Sequence, residues 1–459
     1  MVISCHANGA SRVFYCVALD RPMSTLSLLA RKSTPFFAFA IIFLFFFSNL
    51  IDRIQPVGAS AAFFAVVGLA AALHCISHRL VIWQYAVVGA AAYFALFPLL
   101  KEEGILVAVA ATKDVALPLS GILLGYLLLC HKRNLDLLNC LYLPFVGYGL
   151  LQAWAFHTDR LETLLPWDAA YVDEMRAAGM SVYQTNALRF FGTLNSFFHY
   201  QLICLIVPIL LWVRYDQIRC HRLLLLNTIL ACLFLVVLQE RTPVAVLAVL
   251  SLVAIVFGKG QSRQAGWAGL AIAVTLAGII GLFGGNAASN ESDADLRMKN
   301  MATLQINSDT SVQERLEIWR EMLTLITPSN VCTGRSPAEL LPGNEAWGTG
   351  QHLSPHNVYL FFVLAYGVVG LVLYFGLLAR LIWSAVTSER LTLDMKLFMS
   401  GLGIAYLFLG VFHLSFLSKL GFLFCWILGL AMADRDAARG PIRLSLRGDT
   451  TGASAKTKI

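Results

Sequence analysis

Long apolar runs separated by short polar stretches dominate the chain, and this alternation sets the expected architecture. Runs long enough to cross a hydrocarbon layer fall at about 34–51, 57–75, 80–100, 114–130, 137–156, 197–213, 223–239, 243–258, 266–284, 357–380, 395–414 and 418–433. They predict an all-α integral membrane protein with about twelve transmembrane helices. A shorter run at 104–112 extends the fourth helix or lies at the interface. Two long polar segments interrupt the series, 157–196 and 285–356, and both carry helical periodicity. In the second, Leu316, Trp319, Leu323 and Ile326 recur at helical spacing and predict one apolar face of an amphipathic helix. Trp319 suits the boundary between membrane and water.

Composition sharpens this picture. The chain is 58% hydrophobic and 13% charged, which excludes a soluble enzyme with a single anchor. Most of the cysteines lie in apolar runs, with neither a disulfide framework nor metal-ligand spacing. No glycine-rich phosphate loop or nucleotide fingerprint is present, so direct use of ATP or NAD has no support. No cofactor, no metal and no nucleic-acid partner is expected.

The net charge of +7 matters through its distribution. Twelve spans put both termini on one side, where the loops hold Arg79, Lys132, Arg133, Arg214, Arg219, Arg222, Lys259, Arg263, Arg380, Arg390 and Lys396. By the positive-inside rule that side is cytoplasmic. The predicted organisation is therefore a cytoplasmic extension at 1–33, nine transmembrane helices over 34–284 with a periplasmic segment at 157–196, a large, partly helical periplasmic loop at 285–356, three helices over 357–433, and a basic cytoplasmic tail at 434–459. The first 22 residues read as a disordered extension or a mis-assigned start, with Met23 as a second start.

Candidate chemistry collects on the outer side. In Ser354-Pro355-His356-Asn357 a polar stretch leads into the tenth helix; Ser354 can cap it, Pro355 fits its first turn, and His356 and Asn357 follow in that turn. A helix N-terminus disfavours imidazolium and favours anions, so His356 is placed to stay neutral and accept a proton. At 100° per residue Gly367 and Gly370 share its face, where small residues admit a neighbouring helix. Outer-side arginines need a reason under the positive-inside rule, and Arg189, Arg241, Arg315 and Arg335 are present. Taken singly, each reads as a surface residue binding a lipid headgroup or a nearby carboxylate such as Glu240, Glu314 or Glu317. Taken together around a neutral histidine, guanidinium groups suit a lipid-linked pyrophosphate, because they bind phosphate oxygens in pairs and stay charged.

The pattern His356-Asn357, nine residues, Gly367-x-x-Gly370 resembles the signature of bacterial O-antigen ligases, within the wider O-antigen ligase/polymerase superfamily. Arg315-x-x-x-Trp319 is similar to that superfamily's central segment, Arg189-x-x-Gly192-Thr193-x-Asn195 to its earlier outer-loop motif, and Arg241-Thr242 to its Arg-Ser/Thr element. Cys332-Thr333-Gly334-Arg335-Ser336 stands where the superfamily often shows a Gly-x-Gly turn. The resemblance implies a GT-C-like fold and a metal- and ATP-independent, inverting glycosyltransferase of the inner membrane with its active site facing the periplasm. The donor would be a glycan on undecaprenyl pyrophosphate and the acceptor a sugar of lipid A–core, with membrane lipids as surroundings. His356 would be the general base, Arg189, Arg241, Arg315 and Arg335 the pyrophosphate ligands, and Asn357, Trp319, Gly367 and Gly370 supporting residues. An O-antigen polymerase or a protein O-oligosaccharyltransferase would use the same donor with another acceptor. A lipid-linked sugar transporter would instead show internal symmetry, and no repeat is seen.

Overall fold

The computed structural model describes residues 25–77, 80–100, 112–129, 131–158, 160–177, 192–194, 197–238, 241–284, 310–335, 357–413 and 416–437. Among them all regular structure is helical. In chain order these are α1 (Thr25–Ile54), α2 (Ala59–Ser77), α3 (Ile82–Leu100), α4 (Leu117–Leu124, flanked by π-helical turns Thr112–Ala116 and Gly125–Leu129), α5 (Lys132–His157), α6 (Leu161–Leu164), α7 (Pro166–Ala177), α8 (Phe197–Val213) and α9 (His221–Leu238). There follow α10 (Arg241–Phe257), α11 (Gln261–Gly284), α12 (Thr310–Thr324), α13 (Val358–Val386), α14 (Leu393–Phe412) and α15 (Ser418–Ala437). Every predicted apolar run lies on one of these helices. Five stretches, Pro35–Ile54, Ala59–Ile76, Ile82–Leu100, Val358–Val386 and Leu393–Val411, are long and apolar enough to cross a membrane by length and composition. The fold is thus that of a multi-pass membrane protein. The run at 104–112 lies almost wholly outside the described residues, and α1 begins at Thr25, ahead of the predicted boundary.

The fourth and fifth runs form a broken pair, bent by 112°. The bend is possible because its open backbone groups find partners: Asn134 donates from Nδ2 to the Leu128 carbonyl at 2.7 Å, and its N–H donates to the His131 carbonyl.

Polar contacts sort the helix ends into two groups. At one end Arg53 meets Asp168, Lys419 meets Ser48, and Ser418 meets Asp114. At the other Trp83 meets Asp436, Arg214 meets Asp434, and Ser262 meets Asp394. The basic loop residues Arg214, Arg219, Lys259 and Arg390 sit with the second group by chain connectivity. The first end carries α7, α12 and the start of α13, and is called the mouth below.

The core is centred on α15, buried from Lys419 to Ala433 on all sides. A helix enclosed all round must be apolar all round, which Leu420 to Ala433 satisfies. Phe45, Phe63, Phe422 and Trp426 interlock α1, α2 and α15 through rings 5.4–6.3 Å apart. Close approach of α4 to α15 depends on Gly121: a Cβ there would meet the Phe422 carbonyl at 2.9 Å.

Candidate functional site at the mouth of the bundle

The site is organised by the start of α13. Asn357, with φ −138° and ψ 112°, is its N-cap, and its Oδ1 accepts from the Leu360 N–H at 3.0 Å. The cap is therefore Asn357 and not Ser354. An amide one residue before Val358 can satisfy an orphan N–H that Ser354 is too far away to reach. His356 precedes the cap instead of lying in the first turn, and it falls outside the described residues.

α13 is not continuous. At Gly367 the backbone turns to φ 70° and ψ −179°, a region essentially restricted to glycine. The break frees backbone groups, and the loop after α12 takes them up. Val368 N–H donates to the Val331 carbonyl at 2.8 Å, Val369 N–H to the Cys332 carbonyl at 3.3 Å, and Arg335 N–H to the Leu364 carbonyl at 2.7 Å. Gly334, also at positive φ (71°), lets the two backbones touch; a Cβ on it would strike the Ala365 carbonyl. Asn330 braces the turn, accepting from Thr327 N–H at 2.8 Å and donating to the Leu325 carbonyl at 2.9 Å. Gly367 is thus a docking point for the loop and not a helix-packing residue, and a face projected at 100° per residue from His356 does not carry past it. Gly370 is buried beside Tyr366 and Phe94.

Side chains reinforce the clamp. Met322 of α12 packs on Leu360 and Leu364 of α13, flanked by Ile318, Trp319, Leu325 and Ile326. The predicted amphipathic face is therefore rotated: Trp319 and Ile326 lie on it, but Leu316 and Leu323 are 40% and 56% exposed and Met322 takes the centre. Helical spacing alone admits both faces, and the position of α13 decides between them.

Of the predicted site residues, Arg335, Trp319, Asn357 and Gly367 are brought into this one unit, and Arg315 lies one turn before Trp319 on α12. Arg241 opens α10. Its side chain, like Arg189, lies outside the described residues. The end of α14 also reaches the site: Tyr359 OH donates to the Leu407 carbonyl at 2.6 Å, and His413, the C-cap of α14, stacks on Phe198 at 3.9 Å between ring centres.

A second cluster engages Arg53, at the end of α1. Arg53 pairs with Asp168 at 2.6 Å and also donates to the Gly192 carbonyl at 2.5 Å. Asp168 accepts further from Tyr148 OH and Gln152 Nε2, both at 2.8 Å, while Gln152 Oε1 accepts from Gly192 N–H at 2.9 Å. Burial pushes the Asp168 carboxyl up, opposed by the Arg53 guanidinium and the two side-chain hydrogen bonds. Both peptide groups of Gly192 are thereby fixed, three residues after Arg189. Asp168→Ala strands a buried guanidinium, so a loss of about 3–5 kcal/mol of stability is expected, read as a lowered Tm of the purified protein. An unchanged Tm would show that the pair carries no stability. Sequence reasoning missed Asp168, Gly334 and His413; Asp168 carries no pattern, being one acid in a polar segment.

Among the described residues no three His, Cys, Asp or Glu side chains stand together in a way that could hold a metal ion.

The class defined by these elements is a multi-pass helical membrane protein in which α12, its loop and the start of α13 are clamped together at one end. Residues 226–375 match the family model described as O-antigen ligase, which supports an O-antigen ligase/polymerase assignment. The match runs from α9 into α13 and includes Arg241, Arg315, Trp319, Arg335, His356, Asn357, Gly367 and Gly370; Arg189 lies before it. No curated protein matches the chain. The matched stretch supports a ligase- or polymerase-type activity.

Proposed function

We propose that the protein is an O-antigen ligase of the bacterial inner membrane, moving polysaccharide from undecaprenyl pyrophosphate to a sugar hydroxyl of lipid A–core. In this reading the bundle is GT-C-like with twelve spans and the mouth faces the periplasm, consistent with the basic loops at the opposite end. The observation that carries the reading is the clamp of α12 and its loop on the broken α13: it ties Arg335 to the helix that follows His356 in the chain, inside the segment that matches the family model.

The chemistry follows from the residue types. His356 takes the proton of the acceptor hydroxyl as its oxygen attacks the anomeric carbon. The bond from that carbon to the pyrophosphate oxygen breaks on the opposite face, which inverts the centre. Charge develops on the departing pyrophosphate and is met by Arg189, Arg241, Arg315 and Arg335, each contact supplying roughly 2–4 kcal/mol by analogy with oxyanion-type sites. Because the arginines supply the positive charge and the donor carries its own leaving group, neither a metal ion nor ATP enters the scheme.

The test is transfer in vitro with purified full-length protein and defined donor and acceptor. Lysine at Arg315 or Arg241 keeps charge but loses the fork, so each substitution is expected to lower kcat/KM at least about tenfold. Full activity of both lysine variants would exclude bidentate phosphate recognition. Activity is expected to survive a chelator, and its loss on chelation would overturn the metal-free scheme.

A further inference from the structure

Lys419 is a cation that the proposed mechanism does not use. It is 7% exposed and enters the mouth on the first turn of α15. Its Nζ donates to Ser48 Oγ at 2.8 Å and to Asn49 Oδ1, and lies 5.6 Å from the centre of the Phe63 ring. These partners are all neutral and use two of its three N–H groups. No carboxylate among the described residues is within ion-pair range of it. Asp52, the acid that acts on it electrostatically, is committed to capping α2, accepting from Ala59 N–H at 2.6 Å and Ser60 N–H at 2.8 Å. Asp114 is taken by Ser418 at 2.7 Å.

Two further features point the same way. Ser418, immediately before Lys419, has φ 54° and is the only non-glycine residue at positive φ among the described residues; such strain persists where surrounding structure holds it and clusters at functional sites. The first-turn N–H groups of α15 add the positive end of a helix dipole. Lys419 thus has no carboxylate in direct contact: Asp52 acts on it only at a distance and Asp114 is engaged by Ser418. A buried charge without a direct ion-pair partner is costly, and an anion that arrives from outside removes the cost.

We propose that Lys419, held by Ser48 and Asn49, is a binding site for a phosphate carried on a lipid. The phosphate belongs either to the polyprenyl donor, a form that rests on the proposed function, or to a bilayer phospholipid headgroup, a form that does not.

The full-length protein in phosphatidylcholine nanodiscs tests this with two probes, undecaprenyl pyrophosphate and phosphatidylglycerol. Asn49→Asp gives Lys419 an internal counter-ion: it is expected to keep or raise Tm while weakening binding of at least one probe by about tenfold or more. Lys419→Arg is expected to retain binding and Lys419→Gln to lose it. Loss confined to undecaprenyl pyrophosphate identifies the donor, and loss confined to phosphatidylglycerol identifies a headgroup site. Wild-type binding of both probes in Asn49→Asp and Lys419→Gln overturns the inference and leaves the donor reading intact. Wild-type protein that binds phosphatidylglycerol through Lys419 but not undecaprenyl pyrophosphate sinks the donor reading and keeps the site.

Discussion

Replacing His356 with Ala is expected to abolish glycan transfer while leaving membrane insertion and abundance unchanged. The acceptor hydroxyl is a poor nucleophile until its proton is taken, and general-base assistance is worth about 10²–10⁴-fold. In the proposed scheme the imidazole acts unprotonated: His356 immediately precedes Asn357, the N-cap of α13, and the positive end of a helix disfavours imidazolium. The cap of α13 does not depend on His356, since Asn357 satisfies the Leu360 N–H. Transfer is read from mobility of lipid A–core on gels with the purified variant. Full residual transfer by His356→Ala would remove the general-base role and leave the arginines as the only chemical groups in the scheme.

Gly367→Ala is expected to reduce transfer about as severely, for a different reason. At φ 70° and ψ −179° a side chain costs of order 1–3 kcal/mol in backbone strain alone. The added Cβ would also strike the Cys332 carbonyl, the acceptor for Val369 N–H. The cheapest relief is for the loop to lift off the break, which releases Arg335 from Leu364 and removes the brace on α12. A misplacement of about 1 Å in a positioned group costs on the order of 10² in rate. The signature of this mechanism is a fall in kcat together with easier protease cleavage after α12 in the intact protein. Gly334→Ala is expected to reproduce both effects, because Gly334 is the other half of the contact. Wild-type kcat in both variants would show that the clamp does not position the site.

Much of this was legible in the chain. Apolar runs located the helices because a spanning or core helix must satisfy its backbone internally and present apolar groups outward. Trp319 and Asn357 were marked as supporting residues by their place beside the arginine and histidine motifs. What the pattern could not show is tertiary in origin. Gly367 and Gly370 look alike in the sequence, yet one breaks the helix and the other packs within it, because only the first has a loop carbonyl waiting for the freed N–H groups. The pairing of Arg53 with Asp168 depends on α7 folding back over the end of α1. Lys419 begins an apolar run and so reads as its flank, although a lone lysine at membrane depth is itself a signal of function.

The central claim is that glycan passes from a polyprenyl pyrophosphate donor to lipid A–core at this mouth. Purified wild-type protein offered one defined lipid-linked glycan, with lipid A–core, a second glycan unit or a pilin-like protein as acceptor in separate reactions, measures it directly. The account predicts product with lipid A–core alone, in the presence of chelator and without ATP. Product only with the second glycan unit or the protein, or none with any acceptor, would contradict it.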